Sequence, residues 1–138
     1  MEKKKIESFE DLDCWVAGSE VKKMIANIIK TLPASEKFDL IDNMRRAARS
    51  VTRNIAEGYG RFHYKENIQF CRISRGSLTE LIDDLITCRD EKYISETEYS
   101  DVRQKIQTAL NILNGYINYL IRAADQKNKK DDLLTNNN

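Results

Sequence analysis

Apolar residues recur along most of the chain at alternating steps of four and three, the spacing that keeps side chains on one face of an α-helix. Between residues 10 and 124 the breakers fall at only three places: Thr31-Leu32-Pro33-Ala34-Ser35, Gly58-Tyr59-Gly60-Arg61-Phe62-His63-Tyr64, and Lys92-Tyr93-Ile94-Ser95. Four helices follow. The first, about residues 10 to 31, carries a stripe of Ala17, Val21, Met24, Ile28 and Leu32. The second, about 36 to 58, repeats it with Ile41, Met44, Ala48, Val51 and Ile55, and the third, about 65 to 91, with Cys71, Leu78, Leu81, Ile82 and Leu85. Ser95 and Glu98 have capping-box spacing at the start of the fourth, where Val102, Ile106, Ala109, Leu113, Ile117 and Leu120 keep a near-heptad rhythm. That rhythm favours shallow left-handed packing, and the short connections favour antiparallel neighbours. The expected fold is all-α, an antiparallel up-down-up-down four-helix bundle over residues 10–124. Residues 1–9 form an N-terminal extension, and the polar stretch 125–138 lacks periodicity and is expected to be a disordered tail.

Composition narrows the class without naming a function. At 138 residues a single domain with a real core is expected. Hydrophobic residues at 41% exclude a wholly disordered chain, and one Pro with five Gly excludes a loop-rich sandwich or Gly-rich barrel. Cys14, Cys71 and Cys88 are odd in number, far apart and form no C-x-x-C pair, so a reducing, cytoplasmic setting fits better than a disulfide framework or zinc knuckle. No apolar window approaches the roughly 18 residues of a membrane span, and no membrane partner is expected.

The formal charge is +1, but its distribution is uneven. From Asn43 to Arg75 eight cations, Arg45, Arg46, Arg49, Arg53, Arg61, Lys65, Arg72 and Arg75, face only Glu57 and Glu66, a local +6 against −5 elsewhere. At about 100 degrees per residue, Arg45, Arg49, Arg53 and Arg46 point roughly 0, 40, 80 and 100 degrees round the second helix, whereas its apolar stripe occupies roughly 240 to 320 degrees. Burying the stripe turns the arginines outward. A guanidinium fork matches phosphate oxygens and stays charged, and Tyr59, Phe62, His63, Tyr64 and Phe70 interleave with the later cations as possible stacking platforms for single-stranded RNA or DNA. Two other readings stand beside this one: a solvated face whose arginines pair with carboxylates, and a subunit or protein-partner contact.

Other chemistry finds little support. His63 is the lone histidine, there is no Glu-x-x-His for a di-metal bundle, and Gly58-Tyr59-Gly60 lacks the strand and Lys-Ser/Thr of a phosphate loop. No catalytic residue, metal site or cofactor is assigned. The glycines at 58 and 60 are expected to end the second helix through a left-handed residue. Gly76, inside the third helix at a cost of about 1 kcal/mol relative to Ala, suggests close helix packing. Glu57 meets the negative end of its helix and calls for a cation, Arg61 or Arg53. With Asn54, Ser77 and Glu80 it is expected to form a polar network that fixes register or assembly; Glu57 and Glu80 as an acid and base pair are the weaker enzyme alternative.

Two stretches carry a resemblance: Arg46-Ala47-Ala48-Arg49-Ser50-Val51-Thr52-Arg53-Asn54-Ile55-Ala56-Glu57-Gly58-Tyr59-Gly60-Arg61, and Phe70-Cys71-Arg72-Ile73-Ser74-Arg75-Gly76-Ser77-Leu78-Thr79-Glu80-Leu81. Over about Phe9 to Leu120 the chain resembles the bacterial four-helix bundle protein family, whose members include proteins encoded within intervening sequences of 23S ribosomal RNA genes. That family is similar in fold and assembly to the accessory variability protein of diversity-generating retroelements, a pentameric barrel that engages nucleic acid and a reverse transcriptase. The resemblance implies a homopentamer with a basic surface. Thr52 stands where many relatives have Pro, which speaks against a proline kink in the second helix. Cys71 and Ser74 stand where Leu and Ala are common, and are expected to loosen the third helix slightly.

Overall fold

The computed structural model describes residues 4–136, so Met1–Lys3 of the N-terminal extension and the last two Asn of the tail lie outside it. Four helices account for most of the chain: α1 Asp13–Thr31, α2 Leu40–Gly60, α3 Tyr64–Asp90 and α4 Glu96–Asn136, and no strand occurs among the described residues. Each helix packs on its neighbours in sequence, and α1 also packs on α4, closing a square around one core. The expected stripes fill it: Val21, Ile28, Met44, Val51, Ile55, Leu78, Leu81, Leu85, Ile106, Leu113 and Leu120 are all buried.

Helix α1 starts later than its periodicity indicates, because a short 3-10 turn, Phe9–Asp11, precedes it. The Asp11 carboxylate accepts from the backbone N–H groups of Glu7 and Ser8 at 2.9 and 3.1 Å, which lowers its pKa and pins the extension. At the other end, the Glu98 N–H donates to Ser95 Oγ at 3.0 Å, the expected cap of α4.

Three expectations change. Both Gly58 and Gly60 remain helical, and the left-handed residue in the α2–α3 turn is Phe62, at φ 59°. Gly58 is needed for space: a Cβ there would meet Asn67 Oδ1 at 2.6 Å, Phe70 Cβ at 2.9 Å and the Asn67 carbonyl at 3.2 Å. Gly76 has the opposite character, exposed and with nothing within 4 Å of an added Cβ. Residues Asp125–Asn136 of the expected tail continue α4, with every one of them exposed. Lys, Gln, Leu and Asp follow a helix already nucleated by its buried turns, so extension costs no new nucleus even without a packing surface.

Of the two departures within α3, Ser74 ties it to α2. Ser74 is fully buried and donates to the Val51 carbonyl at 2.8 Å, and Cys71 is equally buried, so the expected loosening is replaced by an interhelical hydrogen bond. Burial pushes the thiols of Cys14 and Cys71 up to about 12 and that of Cys88 to about 11, which keeps all three protonated within the core.

These contacts predict opposite responses at two glycines. Gly58→Ala should lower the stability by about 1 to 3 kcal/mol through overpacking, whereas Gly76→Ala should leave it unchanged or raise it by up to about 1 kcal/mol. Urea unfolding followed by circular dichroism compares them directly.

Candidate nucleic-acid interface

Helix α2 is rotated as its apolar stripe demands. Ile41, Met44, Ala47, Ala48, Val51, Thr52 and Ile55 face the core, and Arg45, Arg46, Arg49 and Arg53 are exposed on the outside. Thr52 is buried against α1, with its hydroxyl 3.5 Å from Lys22 Nζ, and α2 runs through this position without interruption.

The stripe is only partly neutralised. Arg46 contacts the Asp42 carboxylate at 3.5 Å and donates to Asn43 Oδ1 at 3.1 Å. Among the described residues no carboxylate pairs with Arg45, Arg49 or Arg53. Arg61 answers the charge of Glu57, donating to Oε1 at 2.9 Å, and lies over the Phe70 ring at 5.2 Å. That contact, exposed at both ends, leaves the guanidinium one edge for another acceptor.

The other cations do not all join one patch. Arg75 is half-buried and donates to Asn114 Oδ1 of α4 at 3.1 Å, so it leaves the patch. Lys65 and Arg72 are exposed on α3 and lie about 20 degrees apart on its wheel. Further along the α2–α3 seam runs a groove lined by Arg46 and Ser50 of α2 and by Ile73, Gly76, Glu80 and Asp83 of α3.

The polar network takes a different membership from the expected one. Asn54 donates to the carbonyl and the hydroxyl of Ser50, both at 2.8 Å, and Ser77 Oγ donates to Ser50 Oγ at 2.8 Å. Asn54 and Ser77 are thus joined through Ser50, which the sequence reading did not single out. Glu57 turns to Arg61 instead, and Glu80 lines the groove without a hydrogen-bond partner among the described residues. Beside Glu80 stand Asp83 and Asp84. Burial, helped by the charges of Asp83 and Glu80, pushes the Asp84 carboxyl up to about 6. Their i, i+3, i+4 spacing on α3 was readable as an acidic face.

Residues 10–115 match the 23S rRNA-intervening sequence protein family. The chain belongs to that family. A crystal structure of a protein of unknown function from the S23 ribosomal protein family of Bacteroides thetaiotaomicron has a TM-score of 0.70 at 20% identity, covering 76% of this chain and 95% of its own. At that identity the likeness shows the fold of this chain alone, an all-α bundle. No curated protein matches the chain. No helix among the described residues is long and apolar enough to cross a membrane.

The raised Asp84 carboxyl gives a pH-dependence of known sign. The folded chain holds a proton there that the unfolded chain has released between roughly pH 4 and pH 6. Stability from this group therefore falls as pH rises through that window, and the ionised form is a burden above it. Asp84→Asn should raise the urea midpoint at pH 8 and leave it unchanged at pH 4; an equal gain at both would show that ionisation is not the cause.

Proposed function

We propose that this member of the 23S rRNA-intervening sequence protein family is a non-catalytic, cytoplasmic nucleic-acid-binding protein. It grips the phosphate backbone of RNA or DNA through the outer face of α2. The observation that carries the reading is the exposure of Arg45, Arg49 and Arg53 on one side of a rigid helix, without carboxylate partners among the described residues. Guanidinium groups in that state attract phosphate oxygens, and contacts of this kind carry no sequence specificity.

The reading includes an up-down-up-down chain path and a pentameric ring. The path is supported by pairs whose numbering runs in opposite directions on adjacent helices: Ser74 with Val51 then Ser77 with Ser50 across α2 and α3, and Asn67 with Tyr116 then Arg75 with Asn114 across α3 and α4. The ring is supported by the resemblance to the accessory variability protein. Five weak arginine stripes on one body would engage several phosphates of one strand and gain avidity.

A second reading, a protein-interaction scaffold, is favoured by the α2–α3 groove. There Ile73 is 52% exposed, Gly76 leaves open space, and Glu80 and Asp83 stand without cationic partners among the described residues. Arginines of a neighbouring copy or partner would complement that wall.

Salt titration separates the readings. A fluorescent single-stranded RNA should bind with a log-log salt slope of about −0.7 for each phosphate neutralised. Replacing Arg45, Arg49 and Arg53 together by Gln should abolish binding while circular dichroism and light scattering remain unchanged. Binding that ignores salt argues against backbone contacts, and a variant that dissociates into monomers assigns the arginines to assembly.

A further inference from the structure

Away from the arginine stripe, the N-terminal segment, the α2–α3 turn and α4 enclose a cleft of about 640 Å³, within the range of small-molecule sites. Aromatic rings line the side formed by the α2–α3 turn and α4, and Lys4, Asp11 and Asp13 line the N-terminal side. Tyr59, in the last turn of α2, and Phe62, on the α2–α3 turn, have ring centroids 6.3 Å apart, and Tyr116 and Tyr119 stack on α4 with centroids 6.2 Å apart and planes 21° from parallel. The spacing of α4 explains the second pair: Tyr119 falls three residues after Tyr116, on the same face, and its ring is 53% exposed. Tyr116 adds a polar group. Its hydroxyl accepts from Asn67 Nδ2 at 3.1 Å, and its own proton has no acceptor among the described residues. Burial raises the pKa of this phenol, so that proton stays available for donation.

Tyr64 and Tyr119 also border the adjoining depression, where Arg122, Lys127 and Lys130 project from α4. None of these three cations pairs with a carboxylate among the described residues, and no carboxylate lines the depression. An aromatic slot thus opens directly onto a cationic shelf. The shelf exists because α4 continues as helix past its last buried residue, Ala124, and carries Lys127 and Lys130 beyond the bundle. Stacking surfaces select a planar π system, the adjoining cations select an anion, and the two share Tyr64 and Tyr119 as their border.

We propose that this cleft binds a nucleotide unit, with the base stacked among Tyr64, Tyr116 and Tyr119 and its phosphate on Arg122, Lys127 and Lys130. The ligand chemistry is a base joined to a phosphate, whether as a free nucleotide or as the end of a single strand. The site is separate from the α2 stripe and does not require it.

The full-length chain should be titrated with AMP, ribose 5-phosphate and inorganic phosphate while backbone amide resonances are followed by NMR. AMP should shift Tyr64, Tyr119 and Arg122 and bind at least about tenfold more tightly than ribose 5-phosphate, the scale of one base stacked on aromatic rings. Tyr119→Ala, a change at an exposed ring, should remove that advantage with the thermal midpoint unchanged. Equal affinity for AMP and ribose 5-phosphate, or shifts confined to α2, would overturn the proposal. So would line broadening of Tyr64 and Tyr119 that grows with protein concentration and ignores AMP, because the cleft would then hold a second copy of the chain. Competition by a 5′-phosphorylated octanucleotide identifies a strand end as the source, and its failure to compete identifies the free nucleotide; either supports the site. Failure of the arginine-stripe reading is distinguishable, since replacing Arg45, Arg49 and Arg53 should leave the AMP shifts intact.

Discussion

Helix α2 is held between two close approaches, and its rotation about its own axis follows from them. On one side Gly18 of α1 lies so near that a Cβ would come within 2.9 Å of Val51 Cγ1. On the other, Gly58 admits Asn67 and Phe70 of α3, and the hydroxyls of Ser74 and Ser77 reach the Val51 carbonyl and Ser50. Small residues bring the backbones together, and directional hydrogen bonds then fix the register that apolar contact alone would leave adjustable. A helix clamped in this way cannot turn its arginines toward the core.

The surface electrostatics follow from that orientation. Local i, i+4 contacts, Arg46 with Asp42 and Arg61 with Glu57, temper the two ends of the basic face. Such exposed pairs contribute about 0 to 1 kcal/mol and compete poorly with a phosphate that offers several oxygens. The middle of the stripe has no such contact among the described residues. Across the groove, Glu80, Asp83 and Asp84 set a field of opposite sign on α3, so the molecule presents adjoining basic and acidic strips although its formal charge is +1. One strip suits a polyanion, and the pair of strips suits a neighbour carrying the same pattern.

How far the sequence reveals this depends on whether a property is local. The four apolar stripes are local and periodic, and they identify the helices, most of the core and the outward side of the α2 arginines. Interhelical properties were less visible. Periodicity places Gly58 near a helix end but cannot show that Asn67 fills the space beside it. It places Arg75 among cations but cannot show that Asn114, thirty-nine residues on, draws it toward α4. Composition suggests a loose tail after Ala124, whereas a helix already formed propagates through polar residues at little cost. Ser50, the hinge of the polar network, gave no signal because serine on a helix surface is common and its partners come from another helix.

The proposed binding requires only preformed geometry: a rigid rod that displays fixed positive charge, without a moving part. The central claim is that Arg45, Arg49 and Arg53 are accessible in the native protein and occupied by nucleic acid when it binds. Modification with an arginine-specific dicarbonyl reagent, mapped by mass spectrometry with and without single-stranded RNA, reads both states. All three should react in the free protein and be protected in the complex, while half-buried Arg75 reacts weakly in either. Arginines that are unreactive in the free protein, or equally reactive with RNA bound, would contradict the account.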